Sequence, residues 1–318
     1  MIECLSLGIL FADVACTPID HLPHQGELVP TDRVSLNLGG CAANVALDLA
    51  KLGVRTGISG CVGDDPFGDY IRKSLDVDLI DTSGVQVMPS AGTASTMMVN
   101  VKGEDRRFIS TPGANTLYTV DQISLESVLQ AKILYIGGYL VMPGLEDQSF
   151  ITLLHEARKA GAKVVLDVVL FGPRNSWEAL TNILHQVDVF LPNNDEAAVI
   201  TGMSDPLDQA NFFRNAGAKT VVITQGESGS LLVTKNLRLR AGVYPVDFVG
   251  GAGSGDAFDA GYIAGMLEGE DPAGCLRWGA ALGASSVRDV STTSSVFTRD
   301  EARRFMEENE LDVKIEEF

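Results

Sequence analysis

Short apolar runs alternate with amphipathic segments along most of the chain, and this alternation predicts strands and helices in turn. Residues 164–168 (VVLDV) form a nearly continuous apolar run, which is typical of a parallel strand buried on both faces. Residues 41–52 have apolar positions at helical spacing and are followed by Gly53, a helix-ending signal. Further strands are predicted at 5–10, 56–62, 133–136, 187–191 and 220–224, and a hairpin is predicted at 230–233 and 237–241. Further helices are predicted from Pro66, at 147–160, 177–185, 196–200 and 206–216, and near 255–268, 272–288 and 299–309. This order predicts an α/β fold, a three-layer α/β/α sandwich around a mostly parallel sheet, as one domain over residues 1–318.

Two stretches interrupt the alternation. Residues 11–36 have no helical periodicity, and residues 92–110 have the pattern of two strands around a turn at 102–105 (KGED). Together they predict a small inserted β-sheet. Such an insert commonly covers a pocket as a lid or forms an interface.

Composition and charge narrow the choice of partners. The chain has 318 residues, of which 45% are hydrophobic, and a formal net charge of −18. This charge argues against nucleic acid or an anionic membrane as a partner, although a local anion hole is still compatible with ATP. The five cysteines are widely spaced without a C-x-x-C motif, which favours reduced thiols in the cytoplasm rather than disulfides or a metal site.

A glycine-rich stretch at residues 250–255 (GGAGSG) runs directly into Asp256 and an apolar segment. Glycines at the start of a helix let backbone N–H groups converge on an anion. The stretch is not a P-loop, because Asp256 stands where lysine is required, and it lacks the third glycine of the dinucleotide fingerprint. A carboxylate at the rim of an anion hole suggests a general base beside a transferring phosphoryl group.

Two segments near the N-terminus are candidates for contacts with hydroxyl groups. Gly39 and Gly40 allow close approach to the backbone at the head of a helix, and Asn44 in its first turn can bond a hydroxyl. Asp13 follows the first strand and can hold two sugar hydroxyls there. The purely structural alternative for the two glycines is a tight turn that packs a helix on a strand. The alternative for Asp13 is a solvated carboxylate in a loop.

Two further segments have equally balanced interpretations. Asn193 and Glu196 have the spacing of a helix capping box, and they also suit a position near phosphate-bound Mg²⁺. Thr224, Gly226 and Gly229 follow an apolar strand, where they form either one wall of a nucleotide cleft or a plain hairpin loop.

Taken together, these segments resemble the ribokinase-like (PfkB) family of carbohydrate kinases over essentially the whole length. Its two signatures correspond to residues 39–44 (GGCAAN) and 253–256 (GSGD). Between them lie the family-like segments 61–71, 113–115 and 193–196.

The resemblance implies an ATP-dependent sugar kinase that uses Mg²⁺, with a role for each matching residue. Asp256 is implied as the general base, and the helix dipole is expected to hold it ionised. The lid is implied to form a homodimer interface. The resemblance also implies an anion hole at Gly253, Ser254 and Gly255, and sugar contacts at Asp13, Gly39, Gly40 and Asn44. It implies that Mg²⁺ is held near Asn193 and Glu196 through phosphate and water, with no direct protein ligand. The implied ATP contacts are Thr224, Gly226 and Gly229.

The chain departs from the family pattern around the anion hole. Phe248 follows Asp247 where threonine is usual, residues 250–252 form an extension, and segment 288–298 lacks its usual glycine. No monovalent cation is therefore expected. Asp167 and Arg174 echo the Asp-x-Asn-x-Arg pattern of fructokinase-like members only in part.

The acceptor stays open at this stage. Ribose, fructose and a keto-deoxy sugar acid are all compatible with the sequence as acceptors. The arginine side chains that could bind the carboxylate of a sugar acid are Arg106, Arg107 and Arg174. A nucleoside is an alternative, with Tyr139 and Phe108 stacking on its base. Asp256 and the glycines that precede it argue against a non-catalytic sugar- or nucleotide-binding protein on the same fold. The missing third glycine of the dinucleotide fingerprint argues against a nicotinamide dehydrogenase.

Overall fold

A computed structural model describes residues 2–104, 107–171, 176–289 and 291–316. Its main sheet has ten strands in the order β14-β13-β12-β11-β10-β9-β8-β1-β4-β5. The seven strands from β5 to β11 in this order are parallel, and the last three are antiparallel. The strands are β1 (Cys4–Gly8), β4 (Thr56–Gly63), β5 (Ile80–Met88), β8 (Ile133–Gly137), β9 (Lys163–Leu166), β10 (Val189–Phe190), β11 (Thr220–Thr224), β12 (Ser230–Val233), β13 (Arg238–Ala241) and β14 (Val313–Ile315).

Helices connect the parallel strands and pack against the sheet. Their apolar residues join those of the strands in two hydrophobic clusters, and Val164, Val165 and Leu166 in the larger one are fully buried. None of the described helices is long and apolar enough to cross a membrane. The helices are α1 (Cys41–Lys51), α2 (Pro66–Ser74), α3 (Leu125–Gln130), α4 (Gln148–Lys159), α5 (Ser176–Ile183), α6 (Asn194–Thr201), α7 (Pro206–Asn215), α8 (Ser254–Glu268), α9 (Pro272–Ser286) and α10 (Arg299–Glu308).

A separate four-stranded sheet forms the predicted insert, which we call the lid. Its order is β3-β2-β6-β7, with strands β2 (Phe11–Cys16), β3 (Val34–Gly39), β6 (Ser95–Val99) and β7 (Arg107–Thr111). The central pair β2–β6 is parallel, and the two outer pairs are antiparallel. The mostly parallel main sheet and the inserted small sheet confirm the predicted fold class.

The structure corrects several details of the predicted elements. The first strand ends at Gly8 instead of residue 10, and Asp13 lies inside lid strand β2 rather than in a loop. Strand β5, helix α3 and the edge strand β14 have no counterpart among the predicted elements. Asp105, in the predicted lid turn, lies outside the described residues.

Candidate functional site

The strand order reverses at β1, whose neighbours are β4 on one side and β8 on the other. In open α/β sheets, ligands bind beyond the carboxyl ends of the strands at such a reversal. The chain leaves β1 there to enter the lid, and Asp167 follows the end of β9 at the same edge. The functional residues predicted from the sequence therefore converge here from distant parts of the chain.

Helix α8 begins with backbone donors that have no partner in the described part of the protein. Gly253 is left-handed (φ 76°) and supplies no side-chain cap. Within the described residues, the N–H groups of Gly255 and Asp256 have no hydrogen-bond acceptor. A Cβ placed on Gly255 would meet no protein atom within 4 Å. The glycine thus keeps space open in front of unpaired donors at the positive end of a helix, as an anion site requires.

The extension at residues 250–252 is a tight turn in the wall of the site. Ser254 donates to the Gly251 carbonyl from both its N–H (3.4 Å) and its hydroxyl (3.0 Å). Gly253 packs on the backbone of Thr292, where a Cβ would lie 2.5 Å from the carbonyl oxygen. The extension therefore shapes the approach to the anion hole while Gly253 itself is fixed by packing.

A cavity of about 660 Å³ opens directly in front of this helix start. Six residues predicted for ATP or the anion hole line it: Asn193, Thr224, Gly226, Gly229, Ser254 and Gly255. Its apolar wall was missed by sequence reasoning and comprises Val243, Tyr244, Val246, Phe248, Phe258, Ala280, Gly283, Ala284 and Val287. The last four recur at helical spacing in α9 and directly after it, so this stripe of small residues is the sequence signal that could have predicted the wall.

On the other side of Asp256 lie the predicted acceptor contacts. The side-chain amide of Asn44 donates to the Asp256 carboxylate at 2.8 Å, which holds the candidate base in place. The Asn44 carbonyl oxygen is buried and has no partner among the described residues. This oxygen can accept a hydrogen bond from a ligand hydroxyl, because an unpaired buried acceptor is otherwise costly.

Gly39 and Gly40 position the lid against the helix. A Cβ on Gly39 would lie 2.0 Å from a carboxylate oxygen of Asp13, so only glycine fits beneath that side chain. Gly40 has φ 90° and lies against the Ile9 carbonyl. Burial raises the pKa of Asp13 to about 6, the Thr96 hydroxyl opposes this rise, and the charge of Asp256 adds to it. Asp13 and Asp256 therefore interact across the cleft.

The Asn193–Glu196 pair forms the capping box that the spacing also predicted. Glu196 N–H donates to the Asn193 side chain at 2.8 Å, and Asn193 N–H donates to the Glu196 carboxylate at 3.0 Å. Burial and the charge of Asp256 nevertheless raise the pKa of Glu196 to about 7. Asn193 lines the cavity beside Thr224, with which it forms a β-bridge, whereas Glu196 is not among the residues that line it.

A cluster of buried acidic groups surrounds Asp256. Cys41, Asp167 and Asp256 offer ligand atoms that all lie within 4.8 Å of one another. The Tyr135 hydroxyl donates to Asp259 at 3.0 Å and lies 3.5 Å from Asp167. Burial, together with the neighbouring carboxylates, raises the pKa of both Asp167 and Asp259 well above the ordinary range. Sequence reasoning missed Tyr135 and Asp259, since neither belongs to a recognised motif.

The expected effect of the helix dipole on Asp256 is outweighed. Burial raises the pKa of Asp256, and the hydrogen bonds from Asn44 and Cys41 only partly oppose the rise. Among the described residues, the groups that act most strongly on the pKa values of Asp167, Glu196 and Asp256 are carboxylates, the Cys41 thiol, side-chain amides and backbone groups. Such a donor set suits a hydrated divalent cation.

The aromatic and basic residues considered for the acceptor fall in different places. Tyr139 is fully buried and stacks on Phe150, so it is a core residue and does not reach a ligand. Phe108 is 57% exposed on the lid. Arg107 is paired with Glu104. Arg106 and Arg174 lie outside the described residues.

The comparisons with known proteins agree with this geometry. The family described as pfkB family carbohydrate kinase matches residues 1–299. The chain belongs to the pfkB family of carbohydrate kinases. The ribokinase-like family predicted from the two glycine signatures is therefore confirmed.

Among pfkB relatives, the named acceptors differ. A 5-dehydro-2-deoxygluconokinase of Photobacterium profundum is 26% identical over 291 residues, covering 87% of each chain. A cytidine kinase of Thermococcus kodakarensis is 29% identical over 270 residues, covering 82% of this chain and 91% of its own. The structure of Arabidopsis thaliana ribokinase complexed with ribose and ATP superposes with a TM-score of 0.83 at 25% identity, covering 96% of this chain and 99% of its own. Membership thus establishes a sugar kinase family and leaves the acceptor to the site itself.

Proposed function

We propose that this protein is an ATP-dependent kinase that transfers the γ-phosphoryl group to a hydroxyl of a sugar. The observation that carries the proposal is the position of Asp256 between two compartments. On one side, unpaired N–H groups face the 660 Å³ cavity, and on the other, Asn44 of helix α1 and Asp13 of the lid supply hydrogen-bonding groups.

Asp256 acts as the general base in this proposal. A sugar hydroxyl is a poor nucleophile until its proton can leave, and a carboxylate within hydrogen-bonding reach accepts that proton. The raised pKa of Asp256 makes its ionised form a stronger base than an ordinary aspartate. Asn44 keeps one carboxylate oxygen in a fixed orientation, which leaves the other for the acceptor hydroxyl.

The start of α8 forms the anion hole. The N–H groups of Gly255 and Asp256, with Ser254 beside them, face the position where a transferred phosphoryl group carries its charge. Asn193 and Glu196, together with Asp167, whose pKa the charge of Glu196 raises, would hold Mg²⁺ through phosphate oxygens and water, and the ion would supply positive charge against the phosphates. Thr224, Gly226 and Gly229 line the same cavity, and we propose that the nucleotide binds beside them.

A nucleoside is the second candidate acceptor, because the lid presents an aromatic side chain in the right direction. Strand register places Phe108 beside Met98, on the same face of the lid as Asp13. Phe108 is 57% exposed, so its ring is accessible to a base.

The lid is also proposed to join two copies of the chain. Strand register aligns Leu36, Val14, Met97 and Ile109 in a row across the face opposite Asp13. Met97 is 53% and Ile109 69% exposed. A second copy covering this apolar row would bury it.

We further propose that no monovalent cation is needed. Segment 288–298 already holds a positive charge, because the Lys51 ammonium group donates to the carbonyl oxygens of Thr293 and Ser294. This contact ties the loop that packs on Gly253 to helix α1.

The direct test is ADP release by Asp256→Asn over a panel of sugars, polyols and nucleosides. We expect kcat to fall by about 10²- to 10⁴-fold, the usual contribution of a general base, with little change in thermal stability. The control is Asp76→Asn, which makes the same chemical change on an exposed residue. Turnover near that of the wild type would contradict the assignment of the base.

A second variant tests the anion hole independently. Gly255→Val places its side chain in open space, so the fold should persist, but the added methyl groups fill the volume in front of the donors. We expect ATP-dependent activity to be lost while the melting temperature changes little. Undiminished activity would show that no phosphate approaches this helix start.

A further inference from the structure

A second cavity lies at the amino ends of three strands of the main sheet. It has a volume of about 560 Å³. Cavities of about 300 to 1,000 Å³ are the size that small-molecule ligands occupy. Its lining includes Lys163, which begins β9, and Asp188 and Lys219, which directly precede β10 and β11. The candidate functional site lies beyond the carboxyl ends of these parallel strands, so this cavity, which we call the amino-edge cavity, is separate from it.

Positive charge predominates in the lining of the amino-edge cavity. The chain as a whole is acidic, with 42 Asp and Glu residues against 24 Lys and Arg residues. Among the described residues that line the cavity, however, the cationic side chains are Arg158, Lys159, Lys163 and Lys219, and the one carboxylate is that of Asp188. The local charge is therefore opposite in sign to that of the whole protein, and it favours an anion over a cation as the ligand.

Asp188 fixes two of these cations in position. Its side chain is only 8% exposed, and it accepts hydrogen bonds from the Lys219 ammonium group at 2.7 Å and from the Val164 N–H at 3.0 Å. The Arg158 guanidinium lies 3.6 Å from the same carboxylate and donates to the Gln186 side chain at 3.3 Å. Because these contacts order Arg158 and Lys219 before any ligand arrives, less side-chain entropy is lost on binding.

One buried carboxylate does not offset the whole cluster. Asp188 is shared by two of the cations, and Lys159 has a separate partner, Glu156, at 3.7 Å. The Lys163 ammonium group has no ion-pair or hydrogen-bond partner among the residues that the structure describes. Like charges gathered in one cavity repel one another, so a bound anion would relieve this repulsion as well as receive hydrogen bonds.

The stability of helix α4 accounts for only part of the cluster. Arg158 and Lys159 lie in the last turn of α4, where cations offset the negative end of the helix dipole. Lys163 and Lys219 have no such role, because one begins β9 and the other lies directly before β11. They reach the same cavity only because the fold places the starts of these strands beside the end of the helix.

From this cluster we infer that the amino-edge cavity binds a phosphoryl oxyanion, either inorganic or carried by a small organic molecule. Lysine ammonium groups bind phosphate as point charges, and Lys163 and Lys219 keep N–H donors for it, since each ammonium group has more donors than its present contacts use. The enclosed volume and the acidic surface of the whole chain favour a small anion over a nucleic acid. The inference does not depend on the proposed kinase function, because the two sites share no residue.

The experiment is a calorimetric titration of the full chain at constant ionic strength with inorganic phosphate, pyrophosphate and fructose 1,6-bisphosphate. We expect at least one of these anions to bind the wild type. Lys163→Glu should weaken its affinity by at least about tenfold, because an attractive charge is replaced by a repulsive one. Lys163 is exposed, so the variant should fold. Tighter binding of the bisphosphate than of pyrophosphate would identify an organic phosphate as the ligand, and the reverse order an inorganic one.

Matched variants separate this cavity from other sources of anion binding. Lys163→Arg keeps the charge and should retain most of the affinity, and Lys73→Glu, which makes the same charge reversal on an exposed residue of α2, should have no effect. Gly255→Val, which obstructs the candidate anion hole, should also leave this binding intact. Loss of binding in Gly255→Val alone would assign the anion to the candidate functional site and overturn the inference. Equal losses in Lys73→Glu and Lys163→Glu, or no binding of any of the three anions to the wild type, would overturn it as well.

Discussion

Replacing Asp13 by asparagine is expected to stabilise the fold and weaken acceptor binding. Burial, with the charge of Asp256, raises the pKa of Asp13 from 3.8 to about 6. The folded protein thus binds this proton more tightly than the unfolded chain does. Ionisation of Asp13 therefore costs stability, and the cost appears as the pH rises through the window from about 4 to about 6.

The magnitude follows from that shift. A difference of about 2 pKa units corresponds to about 3 kcal/mol of unfolding free energy above pH 6. This is an upper value, because the side chain is only partly buried and water screens some of the interaction. At pH 5 the penalty falls to roughly half, since the folded carboxyl is then mostly protonated. Asparagine imitates the uncharged form at every pH, so it removes the penalty.

The assay is urea unfolding without nucleotide at pH 8 and pH 5, for the wild type, Asp13→Asn and the exposed control Asp76→Asn. We expect Asp13→Asn to be more stable than the wild type at pH 8 and the difference to shrink at pH 5. The KM for the acceptor should rise about 10- to 100-fold, as expected for the loss of hydrogen bonds to a charged group. A variant less stable than the wild type at pH 8, or a gain independent of pH, would refute the reasoning.

Two further predictions concern the lid and the loop that carries Lys51. If the lid face opposite Asp13 joins two copies of the chain, Met97→Glu combined with Ile109→Glu should convert a dimer to a monomer of 33.8 kDa in sedimentation. The control Leu28→Glu, in the loop between β2 and β3, should leave the dimer intact. A wild-type protein that is already a monomer would disprove this interface. The Lys51 ammonium group already donates to the carbonyl oxygens of Thr293 and Ser294. Exchanging K⁺ for a bulky organic cation should therefore change kcat little, whereas Lys51→Met should lower kcat. Strong activation of the wild type by K⁺ would contradict this prediction.

Much of the fold could be predicted because local pattern and tertiary structure agree. Apolar runs between helical segments mark six of the seven parallel strands of the main sheet, β1, β4, β8, β9, β10 and β11, since both faces of those strands are buried. Strand β5 was missed because its pattern is mixed: Asp81, Ser83 and Gly84 interrupt the apolar positions, and no residue of the strand is fully buried. Edge strand β14 was missed because it has three residues, of which two are exposed.

Candidate site residues were predictable where backbone conformation restricts the amino acid. Gly253 and Gly40 need positive φ, and Gly39 needs the space beneath Asp13, so these motifs stand out in the sequence. Tyr135 and Asp259 carry no such local signal, because their significance comes only from residues more than 120 positions away. The apolar wall of the cavity was missed for the same reason, although the small-residue stripe on α9 was visible.

By itself the sequence determined most of the order of strands and helices, the glycine turns and the family, because these depend on side-chain periodicity and on conformations that only glycine adopts easily. Tertiary structure decided what those residues do to one another. It placed Asp13 in a lid strand across from Asp256, turned Asn44 toward the base, and gathered Asp167 and Cys41 around the Asp256 carboxylate. Electrostatic fields depend on distance and burial, which the order of residues along the chain does not contain.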